Sequence, residues 1–198
     1  MQNGASGELT VSKSALFLDR DGVINVDSGY VHKVSEFVFC DGIFDVVRTA
    51  NQNHMPVIVV TNQSGIGRGY FSEEDFHELT QWMRGKFVEM GSRIDHVYFS
   101  PYHPTEGING YRKDDYSRKP HPGMLFQAQH ELGLKLDLCI LIGDKMTDIA
   151  AGQAAGVGCN ILLQPKKQND SDEAQSFHRI IHLNDAIPFI SKYAPGVK

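Results

Sequence analysis

The sequence predicts an α/β protein, a doubly wound and mostly parallel sheet with helices on both faces. Three observations carry that prediction. Short apolar runs at 15–18, 57–60 and 138–142 suit strands covered on both sides. Segments with helical spacing of apolar residues lie between them, so strands and helices alternate and right-handed crossovers follow. Each of these runs also stops abruptly in small or charged residues, as expected where a buried strand leaves the core.

Taken in order, residues 1–13 are rich in Gly, Ser, Asn and Thr, lack the basic and apolar regions of a signal peptide, and are expected to form a flexible leader before a single domain over 14–194. The first strand, 15–18, ends in Asp19-Arg20-Asp21-Gly22. A polar and aromatic loop, 23–37, should lie over that strand end. Asp41 is placed to cap a helix carrying Ile43, Val46, Val47 and Ala50. A second strand, 57–60, opens into Thr61-Asn62-Gln63-Ser64-Gly65. Ser72 and Asp75 form a capping-box pattern ahead of a helix with Phe76, Leu79, Met83, Phe87 and Met90 on one face, and Trp82 is expected in the core. A third strand near 97–99 leads into a long loop, 100–117, of a length that is usually functional or mobile. Pro122 suits the first turn of a helix ending at Gly133. The fourth strand, 138–142, runs into Gly143-Asp144-Lys145-Met146-Thr147-Asp148 and a small-residue helix over 149–155. A fifth strand is expected at 158–163, a polar segment at 164–175, a closing strand at 180–182 and a last helix at 185–193.

Composition sets further bounds. With 198 residues, 41% hydrophobic and 22% charged, the chain fits one soluble domain, and no apolar run is long enough to span a bilayer. Cys40, Cys139 and Cys159 are too scattered for a metal knuckle or disulfide frame, which suits a reducing cytoplasm. A net charge of −5, with only short basic groups such as Lys166-Lys167, argues against general nucleic-acid binding. No internal repeat is present.

In doubly wound sheets ligands bind beyond the carboxyl ends of the strands. That rule gathers Asp19, Asp21, Thr61, Lys119, Asp144 and Asp148 along one edge. Singly, each has an ordinary explanation: a hydrated Asp-Gly turn, a turn or cap threonine, a solvated lysine, an aspartate capping the next helix, and a surface carboxylate or one steadying a metal. Together they suit phosphoryl transfer. Asp19 could form an aspartyl phosphate and Asp21 could protonate the departing alkoxide and then activate water. Two carboxylates repel a phosphate dianion, so a Mg²⁺ on hard oxygen ligands, with Asp19 and Asp144 among them, would be needed. Thr61, backbone N–H groups of its loop and Lys119 would steady the phosphoryl oxygens.

The Asp-x-Asp-Gly pair, the Thr-Asn-Gln-Ser-Gly turn, Arg118-Lys119-Pro120-His121-Pro122-Gly123-Met124 and Gly-Asp-Lys-x-x-Asp resemble the four signature motifs of the haloacid dehalogenase-like phosphatases. More narrowly, residues 15–190 resemble the D-glycero-D-manno-heptose 1,7-bisphosphate 7-phosphatases, with 19–25, 27–31 and 61–65 carrying the specific likeness. The resemblance implies a Rossmann-like sheet, and no segment between the motifs is long enough to supply a separate cap domain. It also implies Asp19 as nucleophile, Asp21 as proton donor, and Mg²⁺ on Asp19, the backbone carbonyl of Asp21 and Asp144. Thr61 and Lys119 would hold the phosphoryl group. Arg118 and Lys145 would contact the substrate, and Asp27, Ser28, Gly29, Tyr30, Asn62, Gln63 and Ser64 would line the sugar-phosphate pocket. The implied reaction removes the C7 phosphate of a heptose bisphosphate on the way to activated heptose for lipopolysaccharide or related glycans.

Many family members carry a zinc loop of Cys-Pro-His followed by Cys-x-Cys. Here those positions read Ser100-Pro101-Tyr102 and Asp115-Tyr116-Ser117, and His103 and His121 alone make a poor site, so zinc is not expected. A histidinol-phosphate phosphatase is the alternative enzyme, a polynucleotide 3′-phosphatase would need a basic groove, and a binding protein on a retired phosphatase fold would lack a catalytic group. The expected partner is a small phosphorylated sugar, with no nucleic acid and no membrane, and the protein is expected to be a monomer.

Overall fold

The structure is a computed structural model that describes residues 13–164 and 176–195. The expected leader, all but its last residue, and the polar segment 164–175 with Lys166-Lys167, all but its first residue, lie outside the described residues.

In chain order the elements are β1 (Leu16–Leu18), α1 (Ile43–Gln52), β2 (Val57–Asn62), α2 (Ser64–Gly67), α3 (Glu73–Glu89), β3 (His96–Ser100), α4 (Gly123–Leu132), β4 (Ile140–Gly143), α5 (Met146–Ala155), β5 (Cys159–Leu163), β6 (His178–Ile180) and α6 (Ile187–Tyr193). The six strands form one sheet, ordered β3-β2-β1-β4-β5-β6, and every pairing is parallel. This is the α/β architecture the alternation predicts.

The apolar runs are continuous because alternate side chains feed two different cores. Leu16, Leu18, Val57, Val59, Ile140 and Ile142 pack on one face with Val46 and Ala50 of α1, Leu79, Met83 and Phe87 of α3 and Ile190 of α6. Phe17, Ile58, Val60 and Leu141 point the other way, against Met124, Leu125 and Ala128 of α4 and Ala151 of α5. A side chain of either parity is therefore buried, and at about 25 cal/mol per Å² of apolar surface no polar residue competes for these positions.

Chain direction reverses its progress at β1, which pairs with β2 on one side and β4 on the other, Leu18 lying beside both Val59 and Ile142. A crevice opens at such a switch point beyond the strand ends. Asp19 is the first residue past β1, so it sits at the centre of the crevice.

Several local expectations change. Helix α1 is capped by Gly42 in the left-handed region (φ 82°) with no side-chain cap, so Asp41 lies one residue too early. The Ser72/Asp75 box is present, with Ser72 accepting from the Asp75 N–H at 3.0 Å and Asp75 accepting from the Ser72 N–H at 2.7 Å. Met90 is the C-cap of α3 and half exposed, so the apolar stripe ends at Phe87. Trp82 is partly buried against that core, its ring 5.5 Å from Phe37 and 5.8 Å from Phe39. The closing strand is His178–Ile180 rather than 180–182, because Ile180 is the buried residue while Ile181 faces solvent. The start of the last predicted helix is a 3₁₀ turn over Leu183–Ala186. The single-turn α2 lies where only a polar turn is expected from the sequence.

Candidate active site

The floor of the crevice is built from charge. Lys119 is only 4% exposed, and its ammonium meets Asp19 Oδ1 at 2.9 Å and Asp148 Oδ1 at 2.6 Å and donates to the Val60 carbonyl at 2.8 Å. It is therefore no solvated surface charge. Burial opposes the ammonium form, but the two carboxylates outweigh burial and raise the Lys119 pKa. Burial pushes the Asp19 carboxyl up to about 7, against the pull of Lys119. Asp148, 1% exposed, is not a surface helix residue, and its Oδ2 accepts from the Lys145 N–H at 3.0 Å, fixing the start of α5. Asp144 does not cap that helix, whose N-cap is Lys145.

Backbone placement holds these groups in register. Asp19 donates its N–H to Ile142 O at 3.0 Å and accepts the Arg20 N–H on Oδ1 at 2.7 Å. Gly22, at φ 92°, passes so close to Asp144 that an added Cβ would lie 2.3 Å from Oδ2. Only glycine admits both the backbone angle and the contact. Asn62 clamps the lysine segment from β2: it donates to Lys119 O and accepts from Lys119 N, both at 3.0 Å, beside the cis Lys119–Pro120 peptide.

Thr61 belongs to strand β2 and is buried, with its hydroxyl oxygen accepting from Gln63 Nε2 at 2.9 Å. With that lone pair engaged, the hydroxyl proton is available to an acceptor elsewhere. Gln63 Nε2 also donates to Asp21 Oδ2 at 3.0 Å, so its amide nitrogen spans two site residues. Asp21 is further held by Arg20 and Asn25.

Three carboxylates, Asp19, Asp144 and Asp148, place one oxygen each within 4.8 Å of one another. With Lys119 they carry a formal charge of −2, the complement of a divalent cation. Asp144 Oδ1 is buried without a hydrogen-bond partner, the state of an oxygen suited to a metal. Both Asp148 oxygens are engaged, by Lys119 and by the Lys145 N–H. Asp19 and Asp144 are thus the carboxylates that fit a hard cation.

Above the floor, a cleft of about 380 Å³ is lined by Asp19, Asp21, Lys119 and Asp148 and by a polar rim, within the size range of small-molecule sites. Asp27, Gly29, Tyr30, Asn62, Gln63, Ser64, Arg118 and Lys145 all reach it, as do Gly65 and Thr147, which lie within the motifs but are not assigned to the pocket from the sequence. Ser28 is exposed and does not line it. Lys145 bonds Asp27 at 2.8 Å, which holds the Asp27 carboxyl below its usual range. Burial, and then the neighbouring Arg68, lower the pKa of Arg118.

The 100–117 loop is tied down by its own side chains. Ser117 Oγ lies 2.9 Å from Ser100 Oγ and 2.6 Å from Asp115 Oδ1, and the Lys113 ammonium sits 4.0 Å from the centre of the Tyr102 ring. Arg68, just past α2, joins this loop to the rim: it pairs with Glu106, meets His103 Nε2 at 2.9 Å and lies 5.7 Å from the Tyr30 ring centre. Nothing in the local sequence marks Arg68, because its partners lie far along the chain.

A family model described as HAD-hydrolase-like matches residues 116–185. A D-glycero-alpha-D-manno-heptose-1,7-bisphosphate 7-phosphatase of Burkholderia mallei is 48% identical over 91% of this chain and 95% of its own. A D-glycero-beta-D-manno-heptose-1,7-bisphosphate 7-phosphatase of Yersinia pestis is 43% identical over 80% of this chain and 85% of its own. Among solved structures, a putative HAD-like phosphatase of Mesorhizobium loti matches with a TM-score of 0.82 and 35% identity, covering 93% of this chain and 89% of its own. The D,D-heptose 1,7-bisphosphate phosphatase of B. bronchiseptica, solved with magnesium and phosphate, has the same fold at a TM-score of 0.78 and 24% identity, covering 92% of this chain and all of its own. On the strength of near-full-length identity to curated relatives, the chain belongs to the heptose-1,7-bisphosphate 7-phosphatase family of HAD-like hydrolases.

Proposed function

We propose that the protein is a Mg²⁺-dependent phosphomonoesterase that removes the C7 phosphate of D-glycero-D-manno-heptose 1,7-bisphosphate, a step toward activated heptose for surface glycans. The observation that carries this reading is the buried Asp19-Lys119-Asp148 cluster beside the partnerless Asp144 oxygen, at the switch point of the sheet. The names of the relatives supply the substrate class.

Asp19 Oδ attacks phosphorus, forming an O–P bond as the bond from phosphorus to the C7 oxygen breaks. Asp21 gives its proton to the departing alkoxide. Asp21 then takes a proton from water, whose oxygen attacks phosphorus; the bond to Asp19 breaks, and inorganic phosphate leaves with the original carboxylate restored. Lys119 and the Thr61 hydroxyl stabilise charge on the phosphoryl oxygens in both steps. Asp19, Asp144 and the Asp21 carbonyl would hold Mg²⁺, which when bound offsets the repulsion between carboxylate and phosphate dianion. Lys145, Arg118, Asp27 and Tyr30 hold the rest of the substrate. The protein acts as a cytoplasmic monomer on a free sugar phosphate; among the described residues no helix is long and apolar enough to cross a membrane.

The test is phosphate release, with and without Mg²⁺, from both anomers of heptose 1,7-bisphosphate, from histidinol phosphate and from a panel of phosphorylated sugars. A heptose bisphosphate should be the best substrate and the product should keep its C1 phosphate. A wide preference for histidinol phosphate would replace the substrate and leave the chemistry.

A further inference from the structure

Arg20 lies between the two active-site aspartates, yet its side chain turns away from the cleft. It is 2% exposed and the largest fully buried side chain among the described residues. Its Nη2 stands between the two Asp21 oxygens, 2.9 Å from Oδ2 and donating to Oδ1 at 3.0 Å, and its Nε donates to Oδ2 at 3.1 Å, so two nitrogens of one planar group grip both oxygens of the carboxylate. Nη2 also donates to the Val31 carbonyl at 2.7 Å. Nη1 is buried with no partner, and the guanidinium carbon stands 5.8 Å from the centre of the Phe76 ring.

As a contribution to stability this is a poor arrangement. A buried guanidinium with an unmet N–H loses water that its partners only partly replace, and an apolar side chain of similar volume would cost less. What the arrangement does supply is geometry. A planar fork fixes both the position and the plane of the carboxylate it grips. Asn25 Nδ2, at 3.0 Å from Oδ1, and Gln63 Nε2, at 3.0 Å from Oδ2, complete the grip. Gln63 lines the cleft whereas Asn25 is fully buried, so Oδ2 is the oxygen shared with the cleft side. The Val31 contact adds a second connection, since Asp27, Gly29 and Tyr30, just before it, line the same cleft.

We infer that Arg20 is a positioning residue that aims the Asp21 carboxyl at the leaving-group oxygen and ties it to the substrate loop through Val31. The inference rests on the reading of Asp21 as the proton donor. It places Arg20 behind the acid, in contact with neither substrate nor metal.

The leaving group separates this role from a purely structural one. An alkoxide needs a proton as it departs, whereas 4-nitrophenolate leaves without one. Single-turnover leaving-group release with saturating Mg²⁺ isolates the first chemical step and should be measured for a heptose bisphosphate and for 4-nitrophenyl phosphate. In Arg20→Met the sugar-phosphate rate should fall on the order of 100-fold while the aryl-phosphate rate changes less than about 3-fold, in line with the usual size of general-acid catalysis. Arg20→Lys keeps the charge but cannot fork, and should shift the ratio of the two rates in the same direction by about 10-fold; it carries the test if Arg20→Met does not fold. Asp21→Asn is the control for the underlying reading and should lose the sugar phosphate selectively. If Asp21→Asn shifts the ratio and a folded Arg20 variant leaves it unchanged, the positioning role is overturned alone. If Asp21→Asn loses both substrates equally, the proton-donor reading falls and this inference with it.

Discussion

At the floor of the cleft Asp19, Lys119 and Asp148 are almost free of solvent, and the ammonium meets both carboxylates within 2.9 Å. At the rim the Lys145–Asp27 pair spans 2.8 Å with side chains 52% and 34% exposed. The two regions carry similar residues but differ in what a lost partner would cost. A charge stranded on the floor cannot be rescued by water, so the floor should behave as one unit in which stranding a charge costs folding as well as chemistry. A charge stranded on the rim is rehydrated, and exposed pairs contribute at most about 1 kcal/mol to stability, so the rim is free to set affinity and selectivity.

The sharpest way to break this contrast is at Asp19, the proposed nucleophile. Asp19→Asn should lower turnover by about 10⁴-fold or more, because the covalent route loses its first bond. Its fold should survive, since the amide keeps the shape and can still accept from Lys119, which a thermal melt would check. Lys119→Met should act on both properties: it leaves Asp19 and Asp148 facing each other without a cation, destabilising the metal-free protein by about 3–5 kcal/mol. Denaturant titration without Mg²⁺ measures that loss. An unchanged midpoint would mean that the floor is not an interdependent unit.

At the rim, Lys145→Ala should raise KM for a bisphosphate by about 10-fold and leave kcat within a few-fold, the signature of uniform binding lost. Stability should change by less than about 1 kcal/mol. A fall in kcat as large as that of a floor variant would erase the distinction between the regions.

The smallest effect concerns pH. Burial raises the Asp19 carboxyl to about 7 in the metal-free protein, above the value of an exposed Asp. A raised folded-state pKa stabilises the fold fully below the unfolded value, near 4, and that contribution is lost as pH rises through about 7. Mg²⁺ competes with the same proton. The rise in Tm on adding Mg²⁺ should therefore be larger at pH 8 than at pH 6, and an equal rise at both would show that Asp19 binds no proton in this range.

The contrast also explains how much the sequence reveals. The strands were legible because both parities of Leu16, Phe17 and Leu18 are apolar, and their abrupt polar ends located one edge of the sheet. On the floor, Lys119, in a turn ahead of α4, was marked by its motif alone, whereas Asp19 could be named because it follows a strand and Asp148 because it lies in the first turn of a helix. Their energetics could not, because whether Lys119 is solvated or buried depends on Asn62 and Asp148, residues distant in the chain. Arg68 and the Ser100–Ser117 contact were hidden for the same reason. Arg20 was in plain view inside the first motif, but charge patterning alone gives no sign that its side chain points inward. The misplaced cap at Asp41 and the shifted β6 are errors of one or two residues at element ends, where local signals compete most evenly.

The most direct measurement of the central claim is chemical trapping of the phosphorylated enzyme. Protein turning over a heptose bisphosphate with Mg²⁺ is acid-quenched, reduced with borohydride and mapped by peptide mass spectrometry. Conversion of Asp19 to homoserine, seen only with substrate and absent in Asp19→Asn, is the predicted result. Steady phosphate release by Asp19→Asn at a wild-type rate, or a trapped phosphoryl group on a different residue, would contradict it.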